Sequence, residues 1–522
     1  MILRDLVAVL IITAVTACSK KNETPGAGPD TGGSNTVKET GIFPKPPTGF
    51  WGTTNPMVST GWVGDVMPFY DNGKFHIFFL HDATDGEKAK SEGQHPIHKF
   101  TSTDLVKYSY EGEMVRYGNV NSAEHLIGTG SVLKYKNEYY FYYTGHNGSP
   151  GWTALNPREN VLKATSTDLS NWTKNTGFKL TASPGYTSND FRDPYVFFNE
   201  EFNEYWMLVS TRRNEKGVLA RYSTDDPSKD NWVLREPLEV EGDYLMLECA
   251  DIFKMGSQYY MFFAEDWSGS PGTRYRVSSS TAGPWRKPEI GSDMLDGHSF
   301  YAGKTASDGT NRYLFAWNHR RNPETDAGNR TWGGNLVVHQ LTQNANGSLG
   351  VKSPTSVGAT FSKQVELKGL ASMGTVSSSS NAITVDGGSS ASIRSFEKVG
   401  LSLKIRTTIS VEKSTGVVGF VFNAAQIGNP TYKILFEPAR SRIAAYNIIG
   451  GISNEVSRVP FSVQAGSSYS VDILIDGSTC VLYVDGKVAL TNRIYSISDN
   501  PWGIIAEGNK GVFFNMSIWR PI

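Results

Sequence analysis

Asp71-Asn72-Gly73-Lys74-Phe75-His76-Ile77-Phe78-Phe79 reads as a hairpin turn feeding a strand: Asn-Gly is the dipeptide that tight hairpins favour, and the apolar run after it has strand length and strand composition. The pairing recurs. Tyr139 to Tyr143 follows Lys136-Asn137, Tyr205-Trp206-Met207-Leu208-Val209 follows Asn203-Glu204, Tyr259-Tyr260-Met261-Phe262-Phe263 follows Met255-Gly256-Ser257, and Tyr313-Leu314-Phe315-Ala316-Trp317 follows Ser307-Asp308-Gly309. The first residues of these runs lie 64, 66, 54 and 54 positions apart. Each run is the second strand of a hairpin. A further echo, Ser102-Thr103-Asp104-Leu105, Ser166-Thr167-Asp168-Leu169, Ser223-Thr224-Asp225 and Ser278-Ser279-Ser280, marks an outer strand and its turn. Repeats of this length without helical periodicity fit propeller blades, four strands each around a central channel; a solenoid or sandwich of the same strands is the alternative, and the acidic residues below favour the radial arrangement. The sequence therefore predicts an all-β chain with a five-bladed β-propeller over residues 46–350.

Beyond the repeat the composition shifts to Val, Ile, Ser and Gly, with alternating strands such as Leu401-Ser402-Leu403-Lys404-Ile405 and Val471-Asp472-Ile473-Leu474-Ile475. Asp476-Gly477 and Asp485-Gly486 close successive hairpins, so residues 351–522 read as a C-terminal β-sandwich. At the other end, Arg4 precedes an apolar run, Leu6 to Val15, too short to span a bilayer comfortably and typical of a signal peptide. It ends in Val15-Thr16-Ala17-Cys18, which resembles the lipobox of bacterial lipoproteins. That resemblance implies a cleaved segment 1–18, lipid attachment at Cys18 and export to a bacterial membrane, at the cell surface or the periplasmic face. A plain signal peptide with a chance cysteine is the duller alternative. Residues 19–45 hold little to bury and read as a flexible tether. The remaining cysteines, Cys249 and Cys480, fall in different domains, which argues against a disulfide framework.

The 522 residues carry 50 Lys plus Arg against 51 Asp plus Glu, a net charge of -1, which removes the electrostatic footprint of a nucleic-acid binder. The partner is expected to be uncharged. Aromatics reach 12%, with 12 Trp and 24 Tyr, and such rings serve either all-β cores or the apolar faces of sugars. The nine His are scattered without ligand spacing, so neither a metal nor a cofactor is expected.

The chemistry is sought on the first strand of each hairpin. There the order is Gly64-Asp65-Val66-Met67-Pro68, Gly128-Thr129-Gly130-Ser131, Phe191-Arg192-Asp193-Pro194, Leu247-Glu248-Cys249-Ala250 and Ser299-Phe300-Tyr301-Ala302. Asp65, Asp193 and Glu248 precede their aromatic runs by 10, 12 and 11 residues, and are read as occupying one matching position of the repeat. Innermost strands are equivalent around a propeller axis, so these three acids should converge on one mouth of the channel. Capping of strand ends is the bland alternative for any one of them. Converging carboxyls suit glycosidic cleavage, which needs a proton on the leaving oxygen and an anion facing the oxocarbenium-like centre.

Trp62-Val63-Gly64-Asp65, Arg192-Asp193-Pro194 and Glu248-Cys249-Ala250-Asp251 resemble the three signature motifs of glycoside hydrolase family 32, the levanases, inulinases and invertases. Supporting pieces occur in order: Gly130-Ser131, Tyr143-Thr144-Gly145, Phe300-Tyr301-Ala302, Trp317 and Trp332-Gly333-Gly334, with Arg493-Ile494-Tyr495 in the sandwich. The resemblance implies hydrolysis of β-fructofuranosidic bonds in fructans or sucrose-like sugars with retained configuration. It implies Asp65 as nucleophile, Glu248 as acid and then base, and Asp193 as the group gripping furanose hydroxyls. Ser131 and Tyr301 enter as substrate contacts on the same ground. Arg192 either steadies the anionic cluster or lies on the surface beside a turn. Cys249 either shapes the pocket or is a buried thiol. Trp51, Trp62, Trp317 and Trp332 are either sugar platforms or core. Two departures stand out: Gly64 replaces the family's usual Asn before the nucleophile, and Ala250 replaces Pro after Glu248-Cys249. Two rivals remain: an inverting five-bladed glycosidase of the arabinan or xylan type, and a non-catalytic glycan-binding lipoprotein.

Overall fold

Asn72 and Gly73 both take left-handed φ, 50° and 78°, and the turn they form pairs Asp71 directly with Lys74. Two consecutive left-handed residues define the hairpin turn whose twist matches that of its strands. The computed structural model describes residues 39–51, 57–83, 92–398 and 400–522. The signal segment, Cys18 and most of the tether lie outside the described residues, as does the side chain of Trp51.

Three short strands, β1 (Glu39–Thr40), β2 (Gly49–Trp51) and β3 (Met57–Ser59), lead into the first blade, β4 (Gly61–Asp71), β5 (Lys74–Ala83), β6 (Ile97–Ser102) and β7 (Tyr108–Val115), whose outer edge takes β1. The second blade is β8 (Leu126–Tyr135), β9 (Glu138–His146), β10 (Glu159–Ser166) and β11 (Thr173–Lys174). The third is β12 (Phe191–Asn199), β13 (Glu204–Arg213), β14 (Lys216–Thr224) and β15 (Val233–Leu238). The fourth holds three strands, β16 (Glu248–Met255), β17 (Gln258–Glu265) and β18 (Gly272–Ser278), where four were expected. Pro284 and Pro288 lie in the segment that follows, and without N–H groups they cannot extend a ladder; only an isolated bridge, Val277 to Arg286, stands in for the outer strand. The fifth is β19 (Phe300–Ser307), β20 (Arg312–Asn322), β21 (Asn329–Gln343) and β22 (Leu349–Lys352), and the ring closes where Gly334 of β21 pairs with Val63 of β4.

The Ser-Thr-Asp echo has a physical cause. Ser102 Oγ accepts from the N–H of Leu105, and Asp104 Oδ1 accepts from the N–H groups of Val106 and Lys107. Ser166 and Asp168 repeat the arrangement on Leu169, Ser170 and Asn171. Both leucines take left-handed φ, 59° and 63°, and both are buried, so the capped turn aims an apolar side chain back between blades. Neighbouring blades meet through apolar clusters. Met67, Phe78 and Leu80 pack on Ile127 and Phe141; Leu133 and Tyr142 pack on Val196 and Met207. Burial of each such side chain contributes about 1.5–3 kcal/mol.

Residues beyond the propeller form two antiparallel sheets of eight and seven strands face to face over a core that includes Leu403, Ile405, Phe420, Ile473 and Trp502. Leu403 pairs with Ile475 and Ile405 with Ile473, joining the two strands expected from sequence. One apolar cluster runs across both domains, from Phe300, Leu314 and Val337 to Leu474, Val481 and Tyr483. Beside it, Arg493 of the sandwich enters the propeller, where Nε donates to the His319 carbonyl and Nη2 donates to the Asn318 carbonyl and Asn335 Oδ1. Arg493 is buried, and burial pulls its pKa down to about 10. Arg493→Ala removes three hydrogen bonds from the interface between the domains. It should cost about 3 kcal/mol of unfolding free energy, read as a lower midpoint in urea denaturation.

Candidate active site

Each innermost strand breaks register near its start: between Val63 and Val66, Gly128 and Gly130, Arg192 and Tyr195, Glu248 and Asp251, and Tyr301 and Lys304. These are β-bulges, which twist a strand and re-aim its side chains. Asp193, Cys249 and Ala302, the first bulged residues of three blades, share left-handed φ of 58°, 53° and 57°. A non-glycine residue there costs about 1–3 kcal/mol, which the surrounding ring offsets. Aligned on the bulge, the three acids do not share one repeat position. Asp65 is the second bulged residue, Asp193 the first, and Glu248 precedes the bulge. The spacings of 10, 12 and 11 do not follow this order, because the hairpins differ in length, and the bulge is why neighbouring positions all reach the channel mouth.

The contacts close into a ring. Thr129 Oγ1 donates to Asp65 Oδ2 at 2.8 Å, and Trp317 Nε1 donates to Asp65 Oδ1 at 2.9 Å. The Trp317 ring lies 5.8 Å from that of Tyr301, whose hydroxyl donates to Glu248 Oε2 at 3.1 Å. The other oxygen of Glu248 accepts from Arg192 Nε and Nη2, at 3.0 and 2.9 Å. Next to Glu248, the Cys249 N–H donates to Asp193 Oδ2 at 3.0 Å, and the Cys249 sulfur lies 3.7 Å from Thr129 Oγ1 and 3.8 Å from Asp193 Oδ2.

Burial raises all three carboxyls above their ordinary range. For Asp65 the bonds from Thr129 and Trp317 oppose the rise. For Asp193 the Arg192 charge opposes burial while Asp65 adds to it. Glu248 is pushed up to about 7, by burial first and then by the Asp193 and Asp65 charges, against the pull of Arg192. A carboxyl that holds its proton near neutrality, with a second carboxyl at the same mouth, supplies the two groups that acetal cleavage requires.

The structure gathers Asp65, Asp193, Glu248, Arg192, Cys249, Tyr301 and Trp317 at this mouth. Trp317 is 1% exposed and its indole N–H is committed to Asp65, so it orients the carboxylate rather than offering a free ring face. Trp332 is half-buried, stacked on His95 with ring centroids 4.4 Å apart and 5.4 Å from the Trp317 ring. Two expected substrate contacts fall elsewhere. Trp62 is buried, its ring flanked by Lys45, Arg320 and Arg493, so it serves as core between the domains. Ser131 is also buried, its hydroxyl donating to the Pro194 carbonyl and accepting from the Val196 N–H, which makes it a stitch between blades. Three groups were missed from sequence. Thr129 occupies the inner strand of the second blade, which carries no acid, and Lys304, from the fifth blade, donates to the Gly130 carbonyl and places its charge near Asp193 and Asp65. Glu159, on β10, contacts Arg192 and sits outside the repeat positions that drew attention.

A five-bladed propeller with carboxyls on its inner strands, fused to a β-sandwich, is the class that this fold and site define. The chain belongs to glycosyl hydrolases family 32: residues 57–350 match that family's N-terminal domain, and residues 347–513 match the GH32, BT1760-like, C-terminal domain. It is 28% identical over 300 residues to the raffinose invertase of Escherichia coli, covering 53% of this chain and 59% of that protein. It is 26% identical over 271 residues to the levanbiose-producing levanase of Bacillus subtilis (strain 168), covering 49% and 46%. The chain thus spans about half the length of these curated relatives. The exo-inulinase of Aspergillus awamori shares its fold with a TM-score of 0.67 at 16% identity, over 92% of this chain and 98% of that one.

Gly64 has a structural reason. A Cβ added there would lie 1.8 Å from Cη2 of Trp332 and 2.5 Å from two further ring carbons, so the indole occupies the space a side chain at 64 would need. Gly64→Asn should destabilise the fold by about 1–3 kcal/mol through overpacking. Adding Trp332→Ala should recover part of that loss, and the two single and one double variant, compared by urea denaturation, measure the coupling.

Proposed function

We propose that the chain hydrolyses β-fructofuranosidic bonds in fructans or sucrose-like oligosaccharides by a retaining double displacement. The observation that carries this is the pairing of Glu248, pushed up to about 7, with Asp65, oriented by bonds from Thr129 and Trp317, at the mouth of a family 32 propeller. Asp65 attacks the anomeric carbon while Glu248 protonates the departing oxygen, which gives a covalent glycosyl-enzyme. Glu248, now ionised, takes a proton from water as that water displaces Asp65 and restores the anomeric configuration. Asp193 accepts hydrogen bonds from furanose hydroxyls, which strengthen as charge develops on the ring. Relatives named as a raffinose invertase and a levanase support a fructosyl bond as the target, and family membership favours this reading over an inverting arabinan or xylan enzyme.

We also propose, from the Val15-Thr16-Ala17-Cys18 sequence, that the protein is exported and anchored to a bacterial membrane by lipid on Cys18. Cys18→Ala should move it from the membrane to the soluble fraction; lipid labelling that persists in the variant refutes the anchor.

The purified protein should release fructose or short fructans from levan, inulin or sucrose, and none from arabinan. Asp65→Asn and Glu248→Gln should each cut turnover by at least about a thousandfold with the fold retained. Because Glu248 must enter protonated, kcat/KM should fall as pH rises through about 7, roughly tenfold per unit above it. Arabinose release, or full activity in Asp65→Asn, refutes the reaction.

A further inference from the structure

Arg192 should, by its position, strip Glu248 of its proton. Its Nε and Nη2 both point at Glu248 Oε1, and a guanidinium at that range ordinarily holds a carboxyl ionised. The same cation has a second set of partners on its far side. Nη1 donates to Glu159 Oε2 at 3.1 Å and to Asp190 Oδ1 at 2.9 Å, so three acids share one charge.

Glu159 is built into this place. It is 3% exposed, on the third strand of the second blade, where a carboxylate needs full compensation. Oε2 accepts from the Phe191 N–H at 2.8 Å, and Oε1 faces Nδ1 of His146 at 3.1 Å. Burial alone would raise its pKa, yet His146, Arg192 and the Phe191 N–H outweigh burial and bring it below the ordinary range. Glu159 is therefore a fixed anion. Asp190 is anchored in turn by Arg212 at 2.6 Å.

We infer that Glu159 is a positioning residue which keeps Glu248 protonated by drawing the charge of Arg192 away from it. The inference rests on the reading of Glu248 as the acid. The groups facing Glu248 are Arg192 and Asp193 from β12, Asp65 from β4 and Tyr301 from β19. Those facing Glu159 are His146 from β9 and Arg192 from β12. Among these, Arg192 alone touches both carboxyls, so any change in its compensation passes to Glu248.

Glu159→Gln keeps shape and an acceptor for Phe191 but removes the anion. Arg192 then favours the Glu248 carboxylate more strongly, the folded-state pKa of Glu248 falls, and the alkaline limb of the pH profile should move down by about one unit. Glu159→Asp, which restores charge, should return the limb toward its original place. Asp190→Asn removes a more exposed partner of the same arginine and should move the limb the same way, which covers the case in which Glu159→Gln does not fold. A residue that merely stabilised the blade would lower the rate at every pH and leave the limb where it was. A carbon-13 NMR titration of the Glu248 carboxyl in the free protein, assigned with Glu248→Gln, reads the same shift without substrate. A wild type that releases no fructan sugar refutes the proposed function, and the titration still decides this inference. A Glu248 titration and an alkaline limb unmoved in both Glu159→Gln and Asp190→Asn overturn it.

Discussion

The cleft depends on one backbone constraint, a bulge in the innermost strand of every blade. A regular strand alternates faces, so two adjacent residues cannot both point into the channel. The bulge suspends that alternation for two residues, and in the third and fourth blades it does so with Asp193 and Cys249 in left-handed conformation. Asp193 then lies against the N–H of Cys249, and Asp65 and Glu248 reach the same mouth from offset positions. Each strained residue lies on an innermost strand paired to one neighbour in a blade that packs extensively against the blades beside it, which is how such backbone persists. The ring of blades thus supports strain that no isolated hairpin would hold.

Once the acids are together, charge balance decides what they do. Asp65, Asp193, Glu248, Glu159 and Asp190 meet chiefly Arg192, Arg212 and Lys304. Carboxyls outnumber cations, and in a buried cluster the excess is met by keeping a proton rather than by leaving an anion unpaired. Glu248, pushed up to about 7, is placed to hold that proton. Asp65 has two dedicated neutral donors and Glu159 has His146, Arg192 and a backbone N–H, whereas Glu248 depends on an arginine already shared and on a tyrosine hydroxyl. The acid of the site is thus set by the neighbours of its neighbour.

This is also why part of the site was readable from the chain and part was not. Turn residues and aromatic runs are local signals that repeat, so five periods and the acids placed before them were visible, and the C-terminal strands betrayed themselves by alternation and Asp-Gly turns. The stagger of Asp65, Asp193 and Glu248 was hidden in spacings of 10, 12 and 11 that hairpins of unequal length scramble, and a bulge has no sequence mark when Asp, Cys or Ala takes the left-handed position that glycine usually fills. Trp62 and Ser131 lie beside true site residues in sequence, and only the arrival of Arg493 over one and of the third blade over the other makes them core. Glu159 had no signal at all, because its role comes from a contact between the third strand of one blade and the first strand of the next. The missing fourth strand of the fourth blade follows the same logic: the period was right, and prolines decided locally that the outer strand would not form.

The sandwich, finally, is mechanically part of the site. Arg493 binds the carbonyls of Asn318 and His319, the two residues that follow Trp317 on β20, and Trp317 donates to Asp65. A guanidinium fork on consecutive carbonyls fixes β20 at the point where pairing across the ladder becomes irregular, since β20 and β21 shift register between His319 and Arg320. Removing that clamp would loosen the stretch of β20 that aims the indole at the nucleophile. The domain following the propeller therefore reaches the nucleophile through one intervening strand, and its retention beside the propeller needs no separate glycan-binding role to explain it.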